Sequence, residues 1–328
     1  MTDASQLTGR TAFVTGASGI VGSWLVRALL DAQVTVIALV RDEEPRSEFI
    51  RSGDDRRVVR VHGALEDLAT VSRALVQYEV DVVFHLGAQT QVRHAQRDPL
   101  ATLEANVRGT YHLLEAVRLL ARPAQAVVIA SSDKAYGDSP DLPYTEAHPL
   151  AGRNIYDASK SATDLIALAY AHSYGLPIGV ARGGNTYGAG DTNWDRIVPG
   201  TIRSLLAGER PIVRSDGTLL RDYLHVDDAV SAYVRLAGAL LGGRAHGEAF
   251  NFGHGSGVSV LDLVGAISKA VGRLDLDPVI RGEAAHEIAA QWLDSTKAHA
   301  WLAWQARVSL ADGLDRTVPW YRSVLGFG

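Results

Sequence analysis

The stretch TAFVTGASGIVGSWLVRALLDA, residues 11–32, passes from a short β-rich run into apolar residues at helical spacing. Three glycines, Gly16, Gly19 and Gly22, stand at the junction. Further strand-like runs, including VTVIALV, VDVVFHLGA and AQAVVIASS, alternate with helix-like segments through the first half of the chain. These runs are continuously apolar, as expected for a parallel sheet covered by helices on both faces. The alternation predicts an α/β fold of the Rossmann type, with a doubly wound parallel sheet.

The second half of the chain has a different composition. Residues 183–223 are rich in Gly, Asn, Asp and Arg, and a helical segment, the strand-like run EAFNFG and a more irregular C-terminal part follow. We expect residues 1–182 to form the Rossmann domain, with contributions from about 224–254. Residues 183–328 are expected to form a smaller α/β lobe that is interleaved with the sheet domain and binds the substrate.

Composition limits the classes of function. The chain has 328 residues, no cysteine and a net charge of −5, which excludes disulfides and thiolate chemistry and gives no reason to expect nucleic acid as a partner. The first ten residues lack a signal-peptide pattern, and no apolar run approaches the length of a membrane span. The histidines are scattered, so no metal site is predicted. We expect a soluble cytoplasmic protein without a membrane partner.

The glycine-rich junction predicts a dinucleotide site. Its spacing is GxxGxxG, and glycines there let the backbone turn tightly and approach a pyrophosphate at the helix N-terminus. A tight turn alone would explain three glycines, but the position between the first strand and the first helix favours the cofactor. The residues predicted to contact it in this loop are Gly16, Ser18, Gly19, Ile20, Val21 and Gly22.

The end of the second strand bears on which dinucleotide binds. Asp42 lies 20 residues after Gly22, about the spacing of an acid that bonds the ribose 2′-hydroxyl of NAD. The adjacent Arg41 would suit the 2′-phosphate of NADP. NAD is therefore predicted, and NADP stays possible because of Arg41.

The segment YDASK places Tyr156 and Lys160 four residues apart, on one face of a helix. A tyrosine is a poor base at neutral pH, but a lysine ammonium and an oxidised nicotinamide beside it favour the phenolate. That phenolate could take a proton from a sugar hydroxyl while hydride leaves for the cofactor. Lys160 could also bond the nicotinamide ribose. An ordinary amphipathic helix would show the same spacing.

Several motifs together resemble a known family. They are TGASGIVG, HLGAQTQV, NVRGT, SSDKAYG, YDASK, RGGNTYGAGD, RDYLHVDDA, FNFG and LDSTKA, and they span almost the whole chain. The chain resembles an extended short-chain dehydrogenase/reductase of the nucleotide-sugar epimerase/dehydratase group. It is most similar to CDP-glucose 4,6-dehydratases, with some similarity to GDP-mannose 4,6-dehydratases. Ala64 departs from the family pattern, which usually has an acid there.

The resemblance implies roles for individual residues. Ser132 would bond the C4 oxygen of the sugar, Asp133 would be the acid at C6, and Lys134 would occupy the position of the C5 base. Further cofactor contacts are implied for Leu65, Leu86, Ala88, Gln89, Tyr156 and Lys160. Contacts with a nucleotide-diphosphate hexose are implied for Gln89, Asn185, Trp194, Arg196, Arg221 and Arg281.

The predicted reaction is dehydration of a nucleotide-diphosphate hexose. Oxidation at C4 makes the C5 hydrogen acidic, water leaves from C5 and C6, and hydride returns to C6, which gives a 4-keto-6-deoxy sugar. A 4-epimerase needs only the hydroxyl residue, the tyrosine and the lysine, and it is the alternative; Lys134 would then be a solvent-facing turn residue. A non-catalytic NAD(P)-binding sensor is a second alternative. The resemblance also implies a homodimer formed through helices near 101–121 and 155–174.

Overall fold

A computed structural model describes residues 4–283 and 287–327. The strands are β1 (Thr11–Thr15), β2 (Thr35–Val40), β3 (Val59–His62), β4 (Val82–His85), β5 (Ala126–Ser132), β6 (Ile178–Gly183), β7 (Asn185–Tyr187), β8 (Ile212–Val213), β9 (Leu220–Arg221), β10 (Tyr223–His225), β11 (Glu248–Phe252), β12 (Val258–Ser259), β13 (Val279–Ile280) and β14 (Ala290–Gln291).

The α-helices are α1 (Ile20–Asp31), α2 (Glu48–Arg51), α3 (Leu68–Gln77), α4 (Val92–Arg97), α5 (Pro99–Leu103), α6 (Gly109–Arg118), α7 (Ile155–Tyr174), α8 (Ile197–Leu206), α9 (Val226–Leu241), α10 (Val260–Val271), α11 (Thr296–Leu302) and α12 (Leu310–Leu325). Short 3₁₀ turns span Ser5–Leu7, Asp54–Arg56 and Asp133–Tyr136, and a π-helical segment spans Glu104–Arg108. None of the helices in the described ranges is both long enough and apolar enough to cross a membrane.

The central sheet has seven parallel strands in the order β11-β6-β5-β4-β1-β2-β3. The chain runs outward from β1 to β3 and then crosses back to β4 on the other side of β1. Such a reversal leaves a crevice at the carboxyl ends of β1 and β4, where open α/β sheets bind their ligands. The predicted doubly wound Rossmann-type sheet is confirmed.

Helices cover both faces of this sheet. Because side chains alternate along a strand, Val14 of β1 packs with Leu25 and Leu236 from α1 and α9, whereas Phe13 packs on the other face. That second cluster includes Leu113 of α6 and residues of α3 and α7. The double coverage explains why the sheet strands read as continuous apolar runs. Residues 226–252 contribute α9 and the last strand to this unit.

The C-terminal lobe is built on short strand pairs. β7 pairs with β10, β8 with β13, and β9 lies between β12 and β14. The lobe also contains α10 and α12, two regular helices within the part of the chain that the sequence predicted to be more irregular. Each helix begins after a serine, Ser259 or Ser309, whose side chain accepts a hydrogen bond from a backbone N–H of the first turn. Apolar residues from α8, α10 and α12 share one hydrophobic cluster.

The long helix expected at 101–121 is interrupted. Its turns are α5, the π-helical segment and α6, and α6 ends at Arg118. In the π segment the Asn106 carbonyl accepts hydrogen bonds from the hydroxyls of Thr110 and Thr163 at 2.6 and 3.0 Å. π-helical turns of this kind often occur beside functional sites. The helix expected near 155–174 is α7.

Candidate active site

The glycine loop follows β1 at the crevice. Gly16 has φ +74°, and a Cβ there would lie 2.8 Å from the backbone nitrogen of Gly87, just after β4. A Cβ on Gly22 would overlap the Gly16 carbonyl oxygen, so the first turn of α1 packs directly under the loop. Gly19 is the residue before α1, and because it has no side chain it does not cap the N–H groups at the start of the helix. The loop therefore keeps open the space that a pyrophosphate needs at a helix N-terminus.

The other predicted cofactor residues surround this crevice. Ser18 lies in the loop, and Ile20 and Val21 form the first turn of α1. Leu86 and Ala88 follow β4. Leu65 packs against Gly109, the first residue after the π-helical segment, so closely that a Cβ added to Gly109 would lie 2.6 Å from the Cβ of Leu65. The observed backbone geometry fits a dinucleotide bound across the carboxyl ends of β1 and β4.

Arg41 and Asp42 lie directly after β2, and their side chains form an ion pair with Nε and Oδ2 2.6 Å apart. Both side chains are exposed, at 61% and 73%. An exposed ion pair contributes at most about 1 kcal/mol, so either side chain can exchange its partner for a ribose group at little expense.

The backbone of Gln89 is held by the side chain of Asn106. The Asn106 side chain accepts a hydrogen bond from the Gln89 amide at 2.6 Å and donates to the Gln89 carbonyl at 3.0 Å. Asn106 also donates to the Ser159 hydroxyl at 2.9 Å, which ties the loop after β4 to α7. The Gln89 side chain accepts a hydrogen bond from the Gln91 amide at 2.9 Å. Asn106 was quoted within a motif but not predicted as a site residue.

Ser132, Asp133 and Lys134 lie where β5 ends and a 3₁₀ turn begins. The Ser132 hydroxyl donates to Oδ1 of Asp133 at 2.9 Å, and the Lys134 amide donates to the same hydroxyl at 3.2 Å. Nζ of Lys134 lies 3.8 Å from Oδ2 of Asp133. The Asp133 side chain is 2% exposed and that of Lys134 is 18% exposed, which rules out a solvated surface turn.

Tyr156 and Lys160 project from α7 toward the end of β5. Burial, together with the negative charge of Asp133, raises the pKa of Tyr156, whereas a hydrogen bond with Ser132 acts in the opposite direction. Nζ of Lys160 donates to the Ala130 carbonyl of β5 at 3.0 Å. Burial lowers the pKa of Lys160 to about 8, so the ammonium form still predominates at neutral pH.

Asp157 is a site residue that sequence reasoning missed, although it stands inside the YDASK motif. Its carboxyl is buried, Oδ2 accepts a hydrogen bond from Asn154 at 2.5 Å, and Oδ1 has no hydrogen-bond partner. Burial raises the pKa of Asp157 to about 6, with Asp133 acting in the same direction and Lys134 opposing it. Oδ2 of Asp133 is also buried without a hydrogen-bond partner. Two largely buried carboxyls and one amine thus lie close enough for their charges to act on one another.

Gln291 is the second missed residue, and no local motif marks it. Its side chain reaches from β14 and contacts the turn at Asp133 and Lys134. It comes from a strand that pairs with β9 of the C-terminal lobe.

The residues predicted to bind substrate are not all brought together. Arg221 of β9 and Arg196 lie close enough to the site for their charges to act on Lys134 and Tyr156, respectively. Arg221 is loosely paired with Glu287, at 3.5 Å between Nη2 and Oε2. Arg281 lies after β13, and its side chain is 48% exposed. Its closest acidic partner is Glu283, with Nη1 and Oε2 3.9 Å apart.

The remaining two residues differ from each other. Asn185 begins β7, and its amide donates to the Asp222 carbonyl at 2.8 Å, which places it beside β9 and β10. Trp194 packs edge-on against Tyr321, with ring centroids 5.9 Å apart, under the guanidinium of Arg203. Trp194 is therefore engaged in the packing of the C-terminal lobe. Within residues 4–283 and 287–327, no cluster of three or more His, Asp or Glu side chains could hold a metal ion.

A Rossmann sheet with a glycine loop, a Tyr–Lys pair and a buried hydroxyl–acid–amine turn defines a nucleotide-dependent enzyme of the dehydrogenase type. The family model described as the NAD dependent epimerase/dehydratase family matches residues 12–253. The chain therefore belongs to the NAD-dependent epimerase/dehydratase family, as its resemblance to extended short-chain dehydrogenases/reductases predicted.

Individual relatives carry both chemistries in their names. The chain is 34% identical to a UDP-glucose 4-epimerase of Mycolicibacterium smegmatis, over 94% of this chain and 98% of the relative. It is 30% identical to a CDP-glucose 4,6-dehydratase of Salmonella typhimurium, over 98% of this chain and 93% of the relative. A crystal structure of a dTDP-glucose 4,6-dehydratase from Streptomyces venezuelae with NAD bound superposes with a TM-score of 0.86 and 30% identity, covering 97% and 98% of the two chains. The predicted cofactor, NAD, is confirmed at the level of the family.

Proposed function

We propose that this protein is an NAD-dependent nucleotide-sugar 4,6-dehydratase that acts on a CDP-glucose-like nucleotide-diphosphate hexose. The observation that carries this proposal is the burial of Asp133 and Lys134 beside Ser132 and Tyr156. An epimerase requires no acid and base beyond the hydroxyl residue, Tyr156 and Lys160. A buried carboxyl next to a buried amine is costly to retain without a purpose, because both groups lose water.

At C4 the chain supplies a base and its activator. Tyr156 takes the proton of the C4 hydroxyl, and Ser132 holds the C4 oxygen by its hydroxyl. Burial raises the pKa of Tyr156, so the phenolate forms only with a nearby positive charge. Lys160 supplies that charge, since its pKa of about 8 keeps most of it protonated at neutral pH. Bound NAD supplies a hydride acceptor for C4 and a hydride donor for C6.

At C5 and C6 the chain supplies one acid and one base. Lys134 must be neutral to accept the C5 proton, and Asp133 must carry a proton to give to the C6 hydroxyl. Burial lowers the pKa of Lys134, which favours the neutral amine, although the charge of Asp133 acts against it. Oδ2 of Asp133 is buried without a hydrogen-bond partner, and an oxygen that no protein group occupies is free to carry the transferable proton.

The substrate's diphosphate requires cations, and we assign it to the C-terminal lobe. Arg221 faces the site, and its contact with Glu287 is long enough to be exchanged for phosphate. Arg196 donates to the carbonyl of Thr186, next to Asn185, Trp194 packs within the same lobe, and Arg281 would have to turn inward. In this proposal residues 183–328 bind the nucleotide sugar, and residues 1–182 with about 224–254 bind NAD.

A panel of nucleotide-diphosphate hexoses tests the reaction. The purified protein is incubated with CDP-, dTDP-, UDP- and GDP-glucose, and the products are analysed by mass spectrometry. Loss of one water from one substrate supports the dehydratase. A product of unchanged mass that chromatography separates from the substrate as its C4 epimer would instead establish a 4-epimerase, the alternative favoured by the relative from Mycolicibacterium smegmatis. No turnover of any substrate, despite NAD binding, would favour a non-catalytic sensor.

We also propose a homodimer in the cytoplasm. Apolar side chains are exposed along the helices expected at the interface, with Leu100 at 68%, Leu103 at 39% and Leu165 at 57%. Exposed apolar side chains on these helices would be covered by the second subunit of such a dimer. Light scattering of the protein and of Leu165→Arg tests the interface: we expect a dimer that the variant converts to a monomer, and a monomeric parent protein would contradict it. The cysteine-free sequence requires no oxidising compartment for disulfide formation, which is compatible with the cytoplasm.

A further inference from the structure

Gln291 connects the C-terminal lobe to the acid–amine turn. Its side chain is fully buried, and its Oε1 accepts a hydrogen bond from Nζ of Lys134. Its Nε2 donates to the backbone carbonyl of Asp133 at 2.8 Å. One amide group therefore contacts both residues that are proposed to remove water from the sugar.

The two contacts fix each other. Because the Asp133 carbonyl can only accept, it must face the NH₂ group of Gln291, and the amide oxygen must then face Lys134. The amide cannot flip without leaving a buried carbonyl unpaired, which costs about 1–3 kcal/mol. Lys134 is consequently held at one place by an acceptor that carries no charge.

The absence of charge on that acceptor matters for a base. Lys134 is surrounded by Asp133 on its own turn, Asp157 on α7, Arg221 on β9 and Glu287 before β14. Burial and Arg221 lower the pKa of Lys134, whereas the three carboxylates raise it. A further carboxylate in hydrogen-bond contact would stabilise the ammonium, which cannot accept a proton.

We propose that Gln291 is a positioning residue for Lys134, holding its amine toward the substrate's C5 without adding the negative charge that would keep it protonated. This inference rests on the proposed dehydratase function. It also links the two lobes, because the Gln291 side chain contacts the turn after β5 while its backbone is the register partner of Arg221 in the pairing of β14 with β9. The arginine assigned to the diphosphate and the amide that holds the base therefore sit side by side on one small sheet.

Two substitutions separate charge from position. Gln291→Glu keeps the length of the side chain but adds a negative charge, and Gln291→Met keeps the volume but removes the acceptor. Gln125→Met is the matched control. Gln125 also bridges two groups, Arg10 and Asp81, but it lies just before β5, at the opposite end of the strand from the acid–amine turn.

The first measurement is the pH dependence of kcat/KM together with hydrogen exchange at C5. For Gln291→Glu we expect the acidic limb of the profile to move up by about one pH unit or more, because Lys134 holds its proton more tightly. For Gln291→Met we expect C5 exchange to fall by about 10²-fold, while C4 oxidation, followed by the absorbance of reduced nicotinamide, persists. An unmoved profile in Gln291→Glu, or an equal loss of both steps in Gln291→Met, overturns the proposal.

The second measurement does not depend on turnover. Acetylation of Lys134 by a small reagent is followed against pH by peptide mass spectrometry in the NAD-loaded protein. The pH of half-reaction should rise in Gln291→Glu relative to the parent and Gln125→Met, and an unchanged value overturns the proposal. If the parent protein removes water from no nucleotide sugar, the dehydratase assignment fails, but this titration still decides whether Gln291 controls the protonation of Lys134.

Discussion

The glycine loop and the acid–amine turn are built in different ways. The glycine loop, residues 16–22, runs over seven consecutive residues from the end of β1 into the first turn of α1, and its geometry is set by backbone contacts within it and with Gly87. The acid–amine turn is completed by Asp157 of α7 and by Gln291, which is 157 residues away from Lys134 in sequence. A cofactor site can be specified by local backbone shape, whereas a site that must set protonation states is assembled from distant segments.

Tyr156→Phe tests the site beside the acid–amine turn, where the chemistry depends on a single oxygen atom. Removing the phenol oxygen should lower C4 oxidation by about 10²–10⁴-fold, because Tyr156 is the group assigned to take the proton of the C4 hydroxyl. Binding of NAD, measured by calorimetry, should weaken far less than C4 oxidation, because the substitution leaves the glycine loop untouched. Residual turnover within tenfold of the parent protein would contradict the assigned role.

Asp133→Asn tests the acid within the same turn. The amide keeps the shape and can still pair with Ser132, but it cannot give a proton to the departing C6 oxygen. We expect water loss to fall by about 10²-fold or more, with C4 oxidation and C5 hydrogen exchange retained. Rapid-quench mass spectrometry distinguishes these steps, and full turnover of the variant would mean that Asp133 is not the acid.

Gly16→Ala tests the glycine loop, whose geometry is set by nearby backbone. An added Cβ meets two penalties: the left-handed φ of +74° and a 2.8 Å approach to the Gly87 backbone nitrogen, which cannot move aside. We expect a loss of about 1–3 kcal/mol in the free energy of unfolding together with weaker NAD binding.

Gly53→Ala is the control for backbone strain. Gly53 has a similar φ of +79°, but a Cβ there would meet nothing within 4 Å. It should lose some stability and keep NAD affinity. Equal effects of both substitutions on NAD binding would show that the close approach at Gly16 is unimportant.

Asp157→Asn should have the smallest effect on the protein, and it tests the acid–amine turn, which is assembled from distant segments. The pKa of Asp157 rises from 3.8 to about 6 in the folded protein, so the native state binds more protons than the unfolded chain in that window. The stability contributed by the protonated carboxyl is full below about pH 4 and is lost as the pH rises through 6. Urea unfolding should show the parent losing stability relative to Asp157→Asn between these values; parallel curves would contradict the shift.

Much of the fold could be predicted from local sequence. The strand–glycine–helix junction, the alternation that follows and the position of α7 each depend on neighbouring residues, whose periodicity reports which face is buried. The C-terminal helices were missed, although Ser259 and Ser309 stand at typical capping positions before apolar periodicity. The π-helical interruption was not predictable, because it depends on contacts of Asn106 with α7 and the loop after β4.

The candidate site divides along the same line. The sequence by itself determined the geometry of the glycine loop, the spacing of Tyr156 and Lys160 and the turn at 132–134, because each lies within a few residues of chain, where backbone periodicity sets the spacing. Only the tertiary structure decided that Lys134 is largely buried, that the charge of Asp157 acts on it and that it donates a hydrogen bond to Gln291. Protonation depends on desolvation and on charges brought together from separate segments, and no local pattern encodes either quantity.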